Sequence, residues 1–265
     1  KKNKIINISK QNLLIKKLDF SLTNDQKNAL KDINRDLTSS NKMFRLLQGD
    51  VGSGKTIVSL LAALNTINSG FQVALMAPTE ILARQHFNLA KKIFPKNINL
   101  ELISGKTEYR IKKEILKNLE IDKIDIIFGT HAIFQKKVIF RKLGLIIIDE
   151  QHKFGVNQRK RLSDKGGVDC DVLLMTATPI PRTLTMTIYG DMDISIIREK
   201  PKNRKPTKTY SKLEAKIDDV LRYINKEIKL GNQIFWVCPL IEESKKLDHS
   251  SAVKKFEYLK KKFPN

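Results

Sequence analysis

LLQGDVGSGKTIVSLL, residues 46–61, runs from an apolar stretch into glycines, a lysine and a threonine, then turns apolar again. Gly49 through Thr56 fit the pattern G-x-x-x-x-G-K-[ST], with Gly49, Gly54, Lys55 and Thr56 at its defined places and Gly52 and Ser53 between them. Glycines let successive backbone N–H groups aim at phosphate oxygens. A helix opening at the end of this loop would turn the positive end of its dipole toward the same anion. Lys55 supplies a point charge for β- and γ-phosphates, and the Thr56 hydroxyl can ligate Mg²⁺. A bound nucleotide is therefore expected here. The plainer reading is a glycine turn with no ligand.

A phosphate loop of this kind needs an acidic partner at the end of another apolar strand. LGLIIIDEQH, residues 143–152, supplies one: Leu145 to Ile148 suit a strand buried on both faces, and Asp149-Glu150 follow at its carboxyl end. Asp149 is expected to hold the Mg²⁺ shell and Glu150 to take a proton from attacking water. Gln151 and His152 come next. A third stretch, LLMTATPIPRT (173–183), ends the next strand and places Thr176, Ala177 and Thr178 at the same sheet edge, with Pro179 and Pro181 stiffening the turn after them. Hydroxyls there could sense a γ-phosphate and relay its presence.

Short apolar runs alternate with helix-period segments along the chain, the pattern of an α/β fold with a parallel sheet flanked by helices. Strands are expected at MFRLLQ (43–48), QVALMA (72–77), LELIS (100–104), DIIFG (125–129), LGLIIID (143–149) and VLLMTA (172–177). Helices are expected in DQKNALKDINRDL, TIVSLLAALNTINSG and TEILARQHFNLAKKIF, the second ending at Gly70. Two prolines among charges at EKPKNRKP, residues 199–206, read as a linker. A strand–helix–strand unit is expected after it: TKTYS, LEAKIDDVLRYINKEIK and QIFWVCPL. The division is then an N-terminal extension (1–19), a nucleotide-binding domain (20–198), the linker (199–206) and part of a second domain (207–265).

Bulk composition allows one large or two modest cores in 265 residues. A formal net charge of +22 suggests a polyanionic partner, but lysines spread along the whole chain also fit codon bias. Cys170 and Cys238 lack metal or C-x-x-C spacing and read as free thiols rather than a disulfide. No run approaches the roughly 18 apolar residues of a membrane span, and the basic start KKNKIINISK lacks a signal-peptide core. The chain lacks an initiator Met, which suggests processing, trimming or a fragment.

GSGKT, DEQH and TATP in this order resemble the superfamily 2 helicases and translocases. APTEILARQH, GTHAIFQ, IIIDEQHKFGV, MTATPIPRTLTMTIYGDMDISII and WVCPLIEES are more narrowly similar to the RecG family of bacterial branched-DNA translocases, from about Phe20 to roughly Leu247. That resemblance implies two RecA-like motor domains, the first complete here and the second only begun. It implies ATP and Mg²⁺ as cofactors and branched double-stranded DNA as partner. Gln26, with Phe20 to Thr23, matches an adenine-reading motif. Gly49, Gly52, Ser53, Gly54, Lys55 and Thr56 match the phosphate loop, and Asp149 and Glu150 the magnesium and base positions. Pro78, Thr79 and Glu80, with Arg84 and Gln85, match one DNA-backbone contact; Gly129, Thr130 and His131 match a second. Gln151, His152, Thr176, Ala177 and Thr178 match coupling positions. Arg84 and His86 also read plainly as solvated helix residues.

The implied activity is ATP-driven translocation that reverses stalled replication forks and migrates junctions, by a monomer in the bacterial cytoplasm. Lys153 stands where the family pattern has arginine, keeping the charge but not the fork of donors. The family's arginine finger and wedge domain have no matching stretch in these residues, so the chain reads as an internal fragment. Lack of such a finger typically costs about 10³–10⁵ in rate, so weak hydrolysis is expected of it. The rivals are a transcription-repair coupling translocase of the Mfd type, a nucleotide-binding module without motor activity, and a small-molecule kinase. In a kinase neither DEQH nor TATP has a role.

Overall fold

The computed structural model describes residues 1–135, 137–150, 167, 169–179, 192–199, 207–238 and 252–263. The chain divides into two compact units, Lys1–Arg204 and Lys205–Asn265.

In the first unit, α1 (Ile8–Lys16) and α2 (Asn24–Thr38) precede β1 (Phe44–Gly49). Then follow α3 (Lys55–Asn68), β2 (Gln72–Met76), α4 (Glu80–Ile93), β3 (Leu100–Ile103), α5 (Tyr109–Glu120), β4 (Ile126–Gly129), a 3₁₀ turn (His131–Phe134), β5 (Leu143–Ile148), β6 (Asp171–Thr176) and β7 (Asp193–Ile197). Among the described residues these strands form a seven-stranded sheet, every pairing parallel, in the order β3-β4-β2-β5-β6-β1-β7. The six strands expected from the apolar runs are present. Parallel order requires helical crossovers on both faces, which is why β2, β4, β5 and β6 are buried along their whole length.

The side-chain period of two divides these strands between two cores. Leu47, Val73, Leu75, Phe128, Leu145, Ile147 and Leu173 join α2, α3 and α4 on one face. Leu46, Ala74, Met76, Ile127, Ile146, Ile148 and Leu174 meet Ile115 and Leu119 of α5 on the other. α3 is apolar almost all round and buried accordingly, from Ile57 to Thr66. Phe87 of α4 meets Phe128 of β4 edge to face, with ring centroids 5.8 Å apart.

Two elements lie beyond the sequence reading. α1 and the residues before it pack within the first unit: Leu14 is buried in the core, and Lys4 is buried with its Nζ 2.5 Å from Asp171 Oδ2. β7 is a half-exposed edge strand held by polar groups. Buried Arg45 of β1 donates to Asp36 Oδ2 (2.7 Å) and to Ser195 Oγ of β7 (2.9 Å), and Ser195 donates in turn to Asp32 Oδ2 (2.9 Å). An edge strand fixed by charge has no full apolar run to announce it.

The second unit contains a 3₁₀ turn (Glu214–Lys216), α6 (Ile217–Lys229) and α7 (Ala252–Lys262). α6 matches the expected helix and buries Leu221 and Ile224. The strands expected at TKTYS and QIFWVCPL are not formed at the described residues 207–211 and 233–238. A strand exists only through ladder bonds to a neighbour. Among the described residues of this unit no strand lies alongside, and Phe235 and Val237 are 87% and 88% exposed.

Candidate nucleotide site and nucleic-acid edge

The loop from Asp50 to Gly54 joins the carboxyl end of β1 to the first turn of α3, as the motif requires. Gly52 and Gly54 take φ of +75° and +87°, conformations that side chains with a Cβ rarely adopt. A Cβ on Gly54 would also run into Gln26 Nε2. Lys55 is buried, and its Nζ donates to the carbonyls of Gly49 (2.6 Å) and Asp50 (3.1 Å). Burial pushes the Lys55 ammonium below its ordinary range, against the pull of Glu150, Asp149 and Asp50. Ser53 Oγ is buried with no hydrogen-bond partner among the described residues. A cation resting on loop carbonyls beside an unpartnered hydroxyl is a cradle suited to phosphate oxygens.

Gln26 is almost wholly buried at the start of α2. The Thr23 N–H donates to its Oε1 (2.9 Å), its own N–H donates to Thr23 Oγ1 (3.3 Å), and its Nε2 donates to the Ser53 carbonyl (2.7 Å). Thr23 and Gln26 thus form a capping box, and the same glutamine ties α2 to the phosphate loop.

Asp149 and Glu150 follow β5. Asp149 is buried; its N–H donates to the Met76 carbonyl at 2.8 Å, and its Oδ1 accepts the Glu150 N–H at 3.0 Å. Glu150 takes a φ of +50°, a left-handed conformation uncommon for a residue with a side chain. The Ala177 N–H lies 3.5 Å from Glu150 Oε2, and the Thr178 N–H donates to Thr176 Oγ1 at 3.1 Å. The TAT stretch, which starts on the last residue of β6, therefore abuts the acidic pair after β5. Gln151 and His152 lie outside the described residues.

For a metal, the expected ligands are oxygen donors: the Thr56 hydroxyl and the Asp149 carboxylate. Among the described residues no three His, Cys, Asp or Glu side chains gather to hold an ion unaided. Magnesium in nucleotide sites takes one or two protein oxygens and completes its shell with phosphate and water. These residues fit that habit.

The other half of the carboxyl edge carries the expected DNA positions. Thr79 caps α4, its Oγ1 accepting the Leu82 N–H at 3.3 Å, with Pro78 just before it and Glu80 opening the helix. Arg84 and Gln85 are exposed on α4, and Arg84 donates to Glu80 Oε1 at 3.2 Å. Gly129 ends β4, Thr130 caps the 3₁₀ turn and His131 opens it, exposed. A Cβ on Gly129 would sit 2.5 Å from the Ile103 carbonyl oxygen, so only glycine fits that corner. The two loops are joined, because the Ala77 N–H donates to the Gly129 carbonyl at 2.9 Å.

His86 departs from its expectation as a solvated residue. It is 7% exposed, and its Nε2 lies 2.8 Å from Asp149 Oδ2. The signal was in the sequence: residues 83, 86, 90 and 93 form a helical stripe that is apolar except for this histidine. Both cysteines are free, and burial pushes the Cys170 thiol up to about 12.

The model of the DEAD/DEAH box helicase family matches residues 23–187. The chain belongs to the DEAD/DEAH box helicases. Within these helicases it is a homologue of RecG. It is 49% identical over 246 residues to the ATP-dependent DNA helicase RecG of Bacillus subtilis, covering 92% of this chain and 36% of that protein. With the RecG of Thermotoga maritima it shares 48% over 252 residues, 94% of this chain and 32% of that protein. The chain thus spans about a third of the length of these curated relatives. A structure of RecG bound to a three-way DNA junction superposes with a TM-score of 0.80 at 39% identity, covering 98% of this chain and 34% of that one. The DEAD-box helicase Mss116 bound to single-stranded RNA, 21% identical with a TM-score of 0.61, shares the fold. The core of this helicase chain is accordingly an α/β RecA-like domain.

Proposed function

We propose that this chain is the nucleotide-binding motor segment of an ATP-driven translocase that acts on branched double-stranded DNA, reversing stalled forks and migrating junctions in recombination and repair. It works in the bacterial cytoplasm and as a monomer. Among the described residues no helix is long and apolar enough to cross a membrane. The observation that carries the reading is the backbone continuity of the carboxyl edge. Gly129 and Ala77 are bonded across β4 and β2, and Met76 and Asp149 across β2 and β5. The loops proposed to grip DNA and the carboxylates proposed to act on ATP are therefore neighbours on one rigid edge.

In this reading Lys55 leaves the loop carbonyls for the β- and γ-phosphates, and the N–H groups of the loop and of the α3 terminus hold the remaining oxygens. Mg²⁺, held by Thr56 and Asp149, supplies charge neutralisation at the phosphates when bound. Glu150 accepts a proton from the attacking water, and its neighbour Ala177 passes the change to the Thr176–Thr178 turn. Gln26 joins the adenine end of the nucleotide to the phosphate loop. Thr79, Arg84, Gln85, Thr130 and His131 contact DNA phosphates, which carry no sequence information. Gln151 and His152 are assigned to the same coupling on their motif alone.

The test is nucleotide binding and ATP turnover by the chain, with and without a synthetic three-way junction, beside Lys55→Ala. The expected result is Lys55-dependent nucleotide binding, together with junction binding that weakens steeply with salt and ignores sequence. Turnover is expected to be low. Nucleotide binding that survives Lys55→Ala, or no junction binding at low salt, overturns the reading.

A further inference from the structure

His86 has no part in the nucleotide or DNA contacts assigned above, yet its partner is the carboxylate expected to hold magnesium. It sits on the inward stripe of α4 between Ala83 and Ala90, whose small side chains let the helix lie close on the sheet. A polar ring on that face must find a partner. It finds one 63 positions away in Asp149, its Nε2 2.8 Å from Oδ2. A carboxylate only accepts, so the ring N–H donates. Each Asp149 oxygen is then taken by a different element, Oδ2 by α4 and Oδ1 by the Glu150 N–H at 3.0 Å. The main chain at Asp149 is tied to Met76, three residues before the Thr79 cap of the same helix. α4 therefore holds the Asp149 side chain, while β2, the strand that leads into α4, holds its main chain. Thr79, Glu80, Arg84 and Gln85, the residues assigned to DNA, belong to the first turns of that helix.

We propose that His86 is a positioning residue: it sets the orientation of the Asp149 carboxylate for magnesium and makes that orientation depend on the seating of α4, and so on bound DNA. The proposal rests on the reading of the site given above. A shift of α4 along its axis moves the ring nitrogen directly against Oδ2, with no intervening residue. This differs from a core histidine that is merely satisfied, because the group it satisfies is itself assigned a task.

The experiment measures binding of a fluorescent ADP analogue as a function of Mg²⁺ concentration, with and without a three-way junction, for the wild-type chain, His86→Ala and His86→Gln. Loss of a hydrogen-bond partner behind a metal ligand costs about 10–100-fold in metal affinity. The Mg²⁺ midpoint of His86→Ala is therefore expected to rise about 10-fold, while metal-free nucleotide binding stays unchanged. The junction should displace the midpoint in the wild type and leave it in place in His86→Ala. Gln places an amide N–H near the position of Nε2, so His86→Gln should recover most of the wild-type midpoint, and it remains informative if the alanine variant folds poorly. A His86→Gln midpoint no better than that of alanine, or a His86→Ala midpoint equal to wild type, overturns the role of His86. Nucleotide binding by the wild type that does not require Lys55 instead overturns the reading of the site, and the proposal with it.

Discussion

The side-chain amide of Gln26 donates to the carbonyl of Ser53 at 2.7 Å, joining the first turn of α2 to the middle of the phosphate loop. The bond is buried, and in the proposed reading it ties the base end of the nucleotide site to its phosphate end.

Gln26→Ala leaves the Ser53 carbonyl buried without this donor and also removes half of the α2 capping box. Such a loss costs about 1–3 kcal/mol, which a urea unfolding curve would read as a lowered midpoint at unchanged slope. Nucleotide affinity should fall as well, since the loop is less firmly held. A variant with wild-type midpoint and affinity would show the bond to be incidental.

Lys55 provides a pH-dependent test. Its folded pKa is depressed by burial from an ordinary 10.5, so the folded chain binds fewer protons than the unfolded one between those two values. Its contribution to stability is therefore complete above 10.5 and is lost as pH falls through the folded pKa. Lys55→Met should flatten that part of the stability profile while abolishing nucleotide binding. Bound phosphate should flatten it too in the wild type, by setting further negative charge against the buried ammonium.

Gly129→Ala tests the corner where β4 meets its loop. The added methyl would lie 2.5 Å from the Ile103 carbonyl oxygen and 2.7 Å from Ile133 Cγ2. Overpacking of this kind costs about 1–3 kcal/mol. Junction binding should drop with stability, because Thr130 and His131 follow directly. Thermal unfolding and a junction titration on the same sample check both.

At the opposite edge of the sheet, Asp171 accepts from Lys4 (2.5 Å), Lys1 (2.9 Å) and the Met43 N–H (2.7 Å), while its own side chain is fully buried. Asp171→Ala strands a buried ammonium at Lys4, a loss of about 3–5 kcal/mol. Replacing Lys4 by Met at the same time should recover part of it. Nucleotide affinity of the double variant should match wild type, since β6 begins at Asp171 and the candidate site lies at the other end of the strands.

The sheet and the phosphate loop were legible in the sequence because their signals are local. An apolar run such as Leu145 to Ile148 needs no long-range partner to be noticed. LGLIII and VLLMT are buried on both faces and read as such, and the glycines of GDVGSGKT carry a conformational demand in their own identity. The polar supports were not legible. Arg45 and Ser195 lie 150 positions apart, Lys4 and Asp171 167 apart, and each looks like an ordinary surface residue until the fold removes water from it. At TKTYS and QIFWVCPL the opposite holds: β-propensity is present, and no pairing strand stands beside residues 207–211 and 233–238 among the described residues.

The sequence by itself determined the α/β class, the order of the first six strands along the chain and the chemistry of the loop after β1, because periodicity and glycine content act within a few residues. Only the tertiary structure decided that His86 faces Asp149, that Gln26 grips Ser53 and that the N-terminal residues belong to the first unit. The physical reason is desolvation: a polar side chain acquires a defined partner only where folding has buried it, and which residues share that burial is a property of the packed sheet and helices.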